Sequence, residues 1–187
     1  MTITNKTAVI LNGSPRKHGN TAVVTQWFVD ALEQNHYAIK KYDLYNLKFQ
    51  GCAHCNVCKK DSSKPNCVLN DDFVPILEQL FAAEKIIIIS PVYCWSVSGC
   101  MSAALDRFYA LFKDNLSLIA NKKIIGAFTA GGDHFQGLEL CVAMLKHLCD
   151  FGNAKYIGIL AAANCSDPKE LNGRKALQQE VLQLLQN

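Results

Sequence analysis

Two groups of residues combine the types and the spacing needed for chemistry. The first is the stretch Asn12-Gly13-Ser14-Pro15-Arg16-Lys17-His18-Gly19-Asn20-Thr21. It follows the apolar run Ala8–Leu11 and leads into an amphipathic segment, so it reads as a strand, a turn and a helix start. Free backbone N–H groups at a helix N-terminus bind anions, phosphate above all. Ser14, Asn20 and Thr21 add hydroxyl or amide groups, and Arg16 and Lys17 add charge. The spacing is neither GxxxxGK[ST] nor GxGxxG, so it is not the turn of a nucleotide-hydrolysing P-loop or of a dinucleotide-binding unit. The second group is Cys52, Cys55 and Cys58, with Cys67 after eight more residues. Cysteines at C-x2-C-x2-C spacing can turn their sulfurs to one face of a cubane iron–sulfur cluster, and a fourth thiolate completes the set. Four thiolates also suit tetrahedral zinc, and unmetallated they are redox-active thiols. Spacing alone leaves all three readings open. Lys59, Lys60 and Lys64 are placed to offset thiolate charge.

Two further loops gain meaning from the elements that position them. Apolar runs predict strands at Thr7–Leu11, Ala38–Leu44, Lys85–Ser90, Lys123–Thr129 and Lys155–Ala161. The third and fourth are almost unbroken, as expected of parallel strands buried on both faces. Between them run helical patterns. Val23, Trp27 and Ala31 form a stripe after Asn20, Leu77 and Leu80 follow Asp71-Asp72, and Met101, Leu105, Phe108 and Phe112 follow Ser98. Leu138, Val142, Leu145 and Leu148 precede Gly152, and Leu177, Val181 and Leu184 follow the start signal Asp167-Pro168, with Gly173 weakening the first turns. Five such βα units predict a three-layer α/β/α sandwich with a five-stranded parallel sheet in the order 2-1-3-4-5. Ligands in that topology lie beyond the C-terminal strand ends, beside the switch point. Three loops then surround one site: Asn12–Thr21, Ser90–Gly99 and Thr129–Phe135. The second carries Tyr93 and Trp95, suited to the faces of a flat redox ring, and the third carries paired glycines that let backbone approach a ligand.

Composition narrows the classes. A chain of 187 residues with a formal charge of +3 fits one domain over 1–187, with a cysteine-rich insert at about 50–70. There is no basic stripe with interleaved aromatics, so no nucleic-acid partner is expected. The pure apolar run Ile86–Ile89 is too short to span a bilayer, and Met1–Lys6 has neither the charged nor the apolar region of a signal peptide. A cytoplasmic protein with no membrane partner is the expectation. Nine cysteines, an odd number, argue against a secreted disulfide framework.

GSPRKxGNT, then SPVY followed by SVSG and LDRF, then TAGGD, resembles the NAD(P)H-dependent FMN reductase family of flavodoxin-like proteins, from the first strand to about Leu148. The resemblance implies FMN, with its phosphate at Ser14, Arg16, Asn20 and Thr21. It implies that Pro91, Val92, Tyr93, Cys94, Trp95 and Ser96 line the isoalloxazine ring and ribityl chain, and that Thr129, Ala130, Gly131 and Gly132 meet the polar edge of the ring. Relatives often have an aromatic followed by a small residue where this chain has Cys94-Trp95, and Ser102 replaces a frequently basic residue. Arg107 belongs to the family's Asp-Arg pair, with a structural role towards a helix or a dimer partner. The segment Gly51–Asp72 resembles the insert of iron–sulfur flavoproteins, which implies a [4Fe-4S] cluster on Cys52, Cys55, Cys58 and Cys67. The implied activity is hydride transfer from NAD(P)H to FMN and onward to a small-molecule redox substrate such as a quinone, or to the cluster. No obligatory catalytic side chain is expected, and a homodimer or homotetramer is implied. An electron carrier without turnover and a thiol- or metal-based sensor are the rival classes.

Overall fold

A computed structural model describes residues 6–61, 63–171 and 173–187, without the side chains of residues 168 and 169. The signal-peptide reading of residues 1–6 therefore falls mostly outside the described residues. Strands β1 (Thr7–Asn12), β2 (Ala38–Asp43) and β3 (Lys85–Tyr93) alternate with helices α1 (Asn20–Gln34) and α2 (Val74–Ala82). A two-residue strand β4 (Ser96–Val97), helix α3 (Gly99–Arg107), β5 (Lys123–Thr129), α4 (Glu139–Phe151), β6 (Lys155–Ala162) and α5 (Lys175–Gln186) follow.

The parallel strands run in the order β2-β1-β3-β5-β6. This is the expected 2-1-3-4-5 arrangement; the numbering differs only because β4 pairs antiparallel with the end of β3. Side chains alternate across the sheet with the period of two that a strand imposes. Ala8, Ile10, Ile87, Ile89 and Ile125 pack under α1 and α5. Val9, Leu11, Ile86, Ile88 and Ile124 pack under α2, α3 and α4. Ile86 to Ile89 are all fully buried, each worth about 1.5–3 kcal/mol relative to exposure. That central position between β1 and β5 explains the unbroken apolar run. β2 lies at the sheet edge and is mostly exposed, which explains its charged pattern.

Three boundaries differ from expectation by more than a residue. β3 continues through Pro91 and Val92 to Tyr93, because β5 extends alongside it to the Pro91–Thr129 pair and β4 then pairs with Val92 and Tyr93. α3 stops at Arg107 and tightens into a 3₁₀ turn, Phe108–Leu111, so Phe112 leaves the stripe. The last helix begins at Lys175: Asp167-Pro168 opens only a short 3₁₀ turn, and Gly173, with φ of 95°, interrupts the chain before α5. No helix among the described residues is long and apolar enough to cross a membrane.

Candidate functional site

The loop after β1 is built by its own side chains. The Asn12 side-chain oxygen accepts the Ser14 N–H at 3.1 Å, and the Ser14 hydroxyl accepts the Arg16 N–H at 3.2 Å. These local bonds turn the chain tightly. Ser98, the N-cap of α3, donates its hydroxyl to the Gly13 carbonyl at 2.6 Å. A Cβ on Gly13 would lie 2.7 Å from that oxygen, so only glycine permits the approach. Helix α1 then starts at Gly19, and no side chain caps its first turn. Asn20 and Thr21, the obvious capping candidates in the sequence, turn elsewhere.

Thr21 is buried, its hydroxyl 2.8 Å from that of Thr129 at the end of β5. Asn20 donates its amide to the Cys165 carbonyl at 2.5 Å, while its side-chain oxygen is buried without a hydrogen-bond partner. An orphaned buried acceptor is costly, about 1–3 kcal/mol, and calls for a donor. A hydroxyl meets that need; a phosphate dianion, having no proton, does not.

Ser14, Arg16, Gly19, Asn20 and Thr21 line one cleft of about 230 Å³ together with Pro91, Val92, Tyr93, Thr129 and Gly131. All three loops singled out in the sequence thus contribute to the same wall. Cys165 and Ser166, which follow β6, complete it. Sequence reasoning missed them; the available signal was their place just past a strand end, two strands from the switch point. Ala130 and Gly132 serve instead to hold that loop, their carbonyls accepting the Cys165 and Asn164 N–H groups at 2.9 and 2.8 Å.

Cys94, Trp95 and Ser96 do not line the cleft. Cys94 and Trp95 form the tip of the β3–β4 hairpin, with φ of 47° and 61°. Two consecutive left-handed residues are what a type I′ turn requires, and neither residue type adopts them cheaply. Trp95 is 64% exposed. Gly137, with φ of 107°, presses against this tip: a Cβ there would lie 2.7 Å from the Trp95 Cα and 2.8 Å from Val92.

The four cysteines of the insert line a second pocket, with Val68, Leu69, Arg107 and Ala110 among its other walls. The His54 N–H donates to the Cys52 sulfur at 3.3 Å. Burial pushes the Cys58 thiol above its ordinary range, against the neighbouring Lys59 and Lys113 charges. The flanking cations only partly match expectation. Lys59 sits over the Tyr109 ring, 3.6 Å from its centroid, and donates to the Tyr109 and Phe112 carbonyls. Lys113, buried, donates to the Cys58 carbonyl at 2.7 Å. Lys60 and Lys64 are exposed. Among the described residues no three His, Cys, Asp or Glu side chains stand as a ready ligand cage. The donor set and its apolar surroundings fit a thiolate-bound metal, and the loop must draw in to hold one.

The family model of NADPH-dependent FMN reductases matches residues 6–166. The chain belongs to that family. As a member it is an FMN-binding oxidoreductase, and the fold agrees: an FMN-dependent NADH-azoreductase of Bacillus anthracis in complex with FMN superposes with a TM-score of 0.71 at 16% identity, covering 96% of this chain and 99% of that one. RosB with a bound formylriboflavin-5'-phosphate intermediate gives 0.77 at 12% identity, covering 97% and 77%. In sequence the chain is similar to an iron-sulfur flavoprotein of Methanocaldococcus jannaschii, 29% identical over 142 residues, which are 75% of this chain and 68% of that one.

Proposed function

We propose that this FMN reductase takes reducing equivalents from NAD(P)H and delivers them to a second acceptor, either a small oxidant such as a quinone or a cluster held by its cysteines. The observation that carries the reading is the single cleft formed where three strand ends meet the uncapped start of α1. Bound FMN supplies the chemistry there, accepting a hydride and releasing electrons singly or in pairs. The residues of the chain bind and orient it. Arg16 and the first turn of α1 hold the phosphate, and the orphaned Asn20 oxygen accepts from a hydroxyl of the ribityl chain. The Thr21–Thr129 hydroxyl pair fixes the spacing between α1 and β5, and Pro91, Val92, Tyr93 and Gly131 form the wall. A cleft of about 230 Å³ is smaller than the roughly 300–1,000 Å³ of sites that enclose a drug-sized ligand. The cleft by itself would therefore not enclose a whole flavin.

Tyr93, Trp95, Phe135 and Leu140 are large apolar side chains exposed at 40–84%, and the contact of Gly137 with Trp95 joins the β3–β4 hairpin to the segment before α4. A second copy of the chain packing on this patch would give a homodimer and cover the ring. Light scattering tests the assembly.

Cys52, Cys55, Cys58 and Cys67 would hold a [4Fe-4S] cluster, a one-electron carrier, as the similarity to iron-sulfur flavoproteins supports. Zinc is the second reading, favoured by one observation: the space among the cysteines is only about 20 Å³, room for about one water or a single ion. Anaerobic purification followed by flavin, iron, sulfide and zinc assays, and stopped-flow reduction by NADH and NADPH, tests the whole reading. FMN at one per chain, reduced within seconds by a nicotinamide, is the expected result. A protein that binds no FMN, or binds it but is not reduced by either donor, overturns the reductase reading. Zinc in place of iron and sulfide overturns the cluster.

A further inference from the structure

Arg107 is the largest fully buried side chain of the protein, 1% exposed. It closes α3, and its guanidinium reaches into the cysteine insert from below. One terminal nitrogen donates to the Gln50 carbonyl at 3.1 Å and to the Asp71 carboxylate at 2.5 Å. The other donates to the Cys67 sulfur at 3.3 Å. Its carbon lies 5.6 Å from the centroid of the Phe73 ring. The Nε is left without a partner.

One cation thus grips both ends of the insert, Gln50 just before the first cysteine and Cys67 and Asp71 at its close. A structural clamp needs only the carbonyl and the carboxylate. The bond to sulfur is extra, and it falls on Cys67, the cysteine separated from the others by eight residues rather than two. Nothing in the local spacing would bring that residue to the pocket; the fork of Arg107 does, because a guanidinium offers several donors in a fixed plane.

We propose that Arg107 is a positioning residue for the thiolate site: it selects Cys67 as the fourth ligand and raises the reduction potential of the cluster through its N–H···S bond and its charge. The proposal rests on the cluster reading above. Hydrogen bonds to ligand sulfurs and net charge are the protein's main controls over such potentials. A donor on sulfur withdraws electron density, and a buried positive charge stabilises the reduced, more negative state.

The experiment compares wild type, Arg107→Met combined with Asp71→Asn, Arg107→Lys and Asp71→Asn, each anaerobically reconstituted with iron and sulfide. The double variant leaves no orphaned buried carboxylate, so it folds where Arg107→Met alone would fail. Iron content and an EPR-monitored redox titration are the readouts. The double variant is expected to hold less iron and to show a more negative cluster potential than wild type. Asp71→Asn keeps the guanidinium on Cys67 and is expected to leave the potential unchanged or more positive, and Arg107→Lys to fall between wild type and the double variant. A purely structural clamp would move the Asp71 and Arg107 variants in the same direction. If wild type holds iron and sulfide but the double variant keeps the wild-type potential, or if Asp71→Asn shifts it as the double variant does, the Arg107 assignment is overturned alone. A wild type that takes up no iron–sulfur cluster overturns this proposal and the cluster reading together.

Discussion

The cleft at the strand ends and the cysteine pocket are assembled in opposite ways. The cleft lies where the fold must put it. Parallel strands end together, their following loops are neighbours, and α1 begins beside them with its N–H groups uncapped. Most wall residues lie in, or one or two positions from, a strand or helix whose place the sheet has already set; Arg16, Cys165 and Ser166 stand three or four positions away. The cysteine pocket belongs to a long stretch between β2 and α2 whose described regular structure is two short 3₁₀ turns, Leu44–Asn46 and Val57–Lys59. No sheet positions it. Long side chains do: Lys113 reaches in to the Cys58 carbonyl and Arg107 to both flanks, while Lys59 of the insert reaches out over the Tyr109 ring. One site is held by backbone topology and the other by cationic pins, so the first should tolerate loss of the second.

The largest expected effect tests that independence. Replacing Cys52 and Cys55 by serine should abolish iron uptake, measured by colorimetric assay, while FMN affinity measured by flavin fluorescence stays within about two-fold. A parallel loss of FMN would show the two sites to be one structural unit.

Next in size is the cleft itself. Arg16→Ala with Thr21→Val removes a charged partner and a buried hydroxyl. At about 1.5–3 kcal/mol for a charge-assisted contact, FMN affinity should fall by at least 10-fold to 100-fold, with iron content unchanged. Unchanged FMN retention would sink the phosphate assignment of this loop. Asn20→Asp keeps the shape but lets a carboxylate face the Cys165 carbonyl; a weaker fall in affinity for FMN and riboflavin alike would place Asn20 on the ribityl chain rather than on the phosphate.

Gly137→Ala probes the β3–β4 hairpin. The new Cβ meets the Trp95 backbone at 2.7 Å in a left-handed conformation. A loss of about 1–3 kcal/mol in chemical denaturation is expected, with a displaced tip and a changed flavin spectrum rather than loss of iron.

Alkaline stability separates the thiols of the pocket from those of the core. Burial pushes Cys141 and Cys149 on α4 from 9.0 up to about 11. Unfolded thiols lose their protons near 9 and the folded ones only near 11, so between these values the folded state binds more protons. That contribution to stability is complete below pH 9 and is lost as pH rises to 11, on the order of a few kcal/mol. Denaturation midpoints should fall over this window, and Cys141→Ala with Cys149→Ala should flatten the slope. Alkylation of the metal-free protein at pH 8 should mark the exposed Cys55 and Cys94 and spare the α4 pair.

Much of this was legible in the chain. The five parallel strands, their order and the meeting of Ser14–Thr21, Pro91–Tyr93 and Thr129–Gly131 follow from apolar periodicity and the handedness of crossovers, which are local or topological rules. The C-x2-C-x2-C trio Cys52, Cys55 and Cys58 was equally plain from spacing, whereas the place of Cys67 beside it is set by Arg107. What was not legible were long-range choices of side-chain orientation. Nothing local to Asn20 says that its amide goes to Cys165, 145 residues away, leaving an acceptor rather than a donor for the ligand. Nothing local to Cys94 and Trp95 shows that the antiparallel β4 puts them on a hairpin tip, outside the lining of the cleft. Lys60 and Lys64 looked like the counter-charges for the thiols, whereas Lys113 and Arg107 are nearer because α3 and the turn after it pack under the insert.

The sequence by itself determined where ligands could collect, because strand ends and cysteine spacing are properties of neighbouring residues. Only the tertiary structure decided which atoms face them. That choice depends on partners brought together across the sheet, where a single buried hydrogen bond, unmade, costs as much as any local preference supplies.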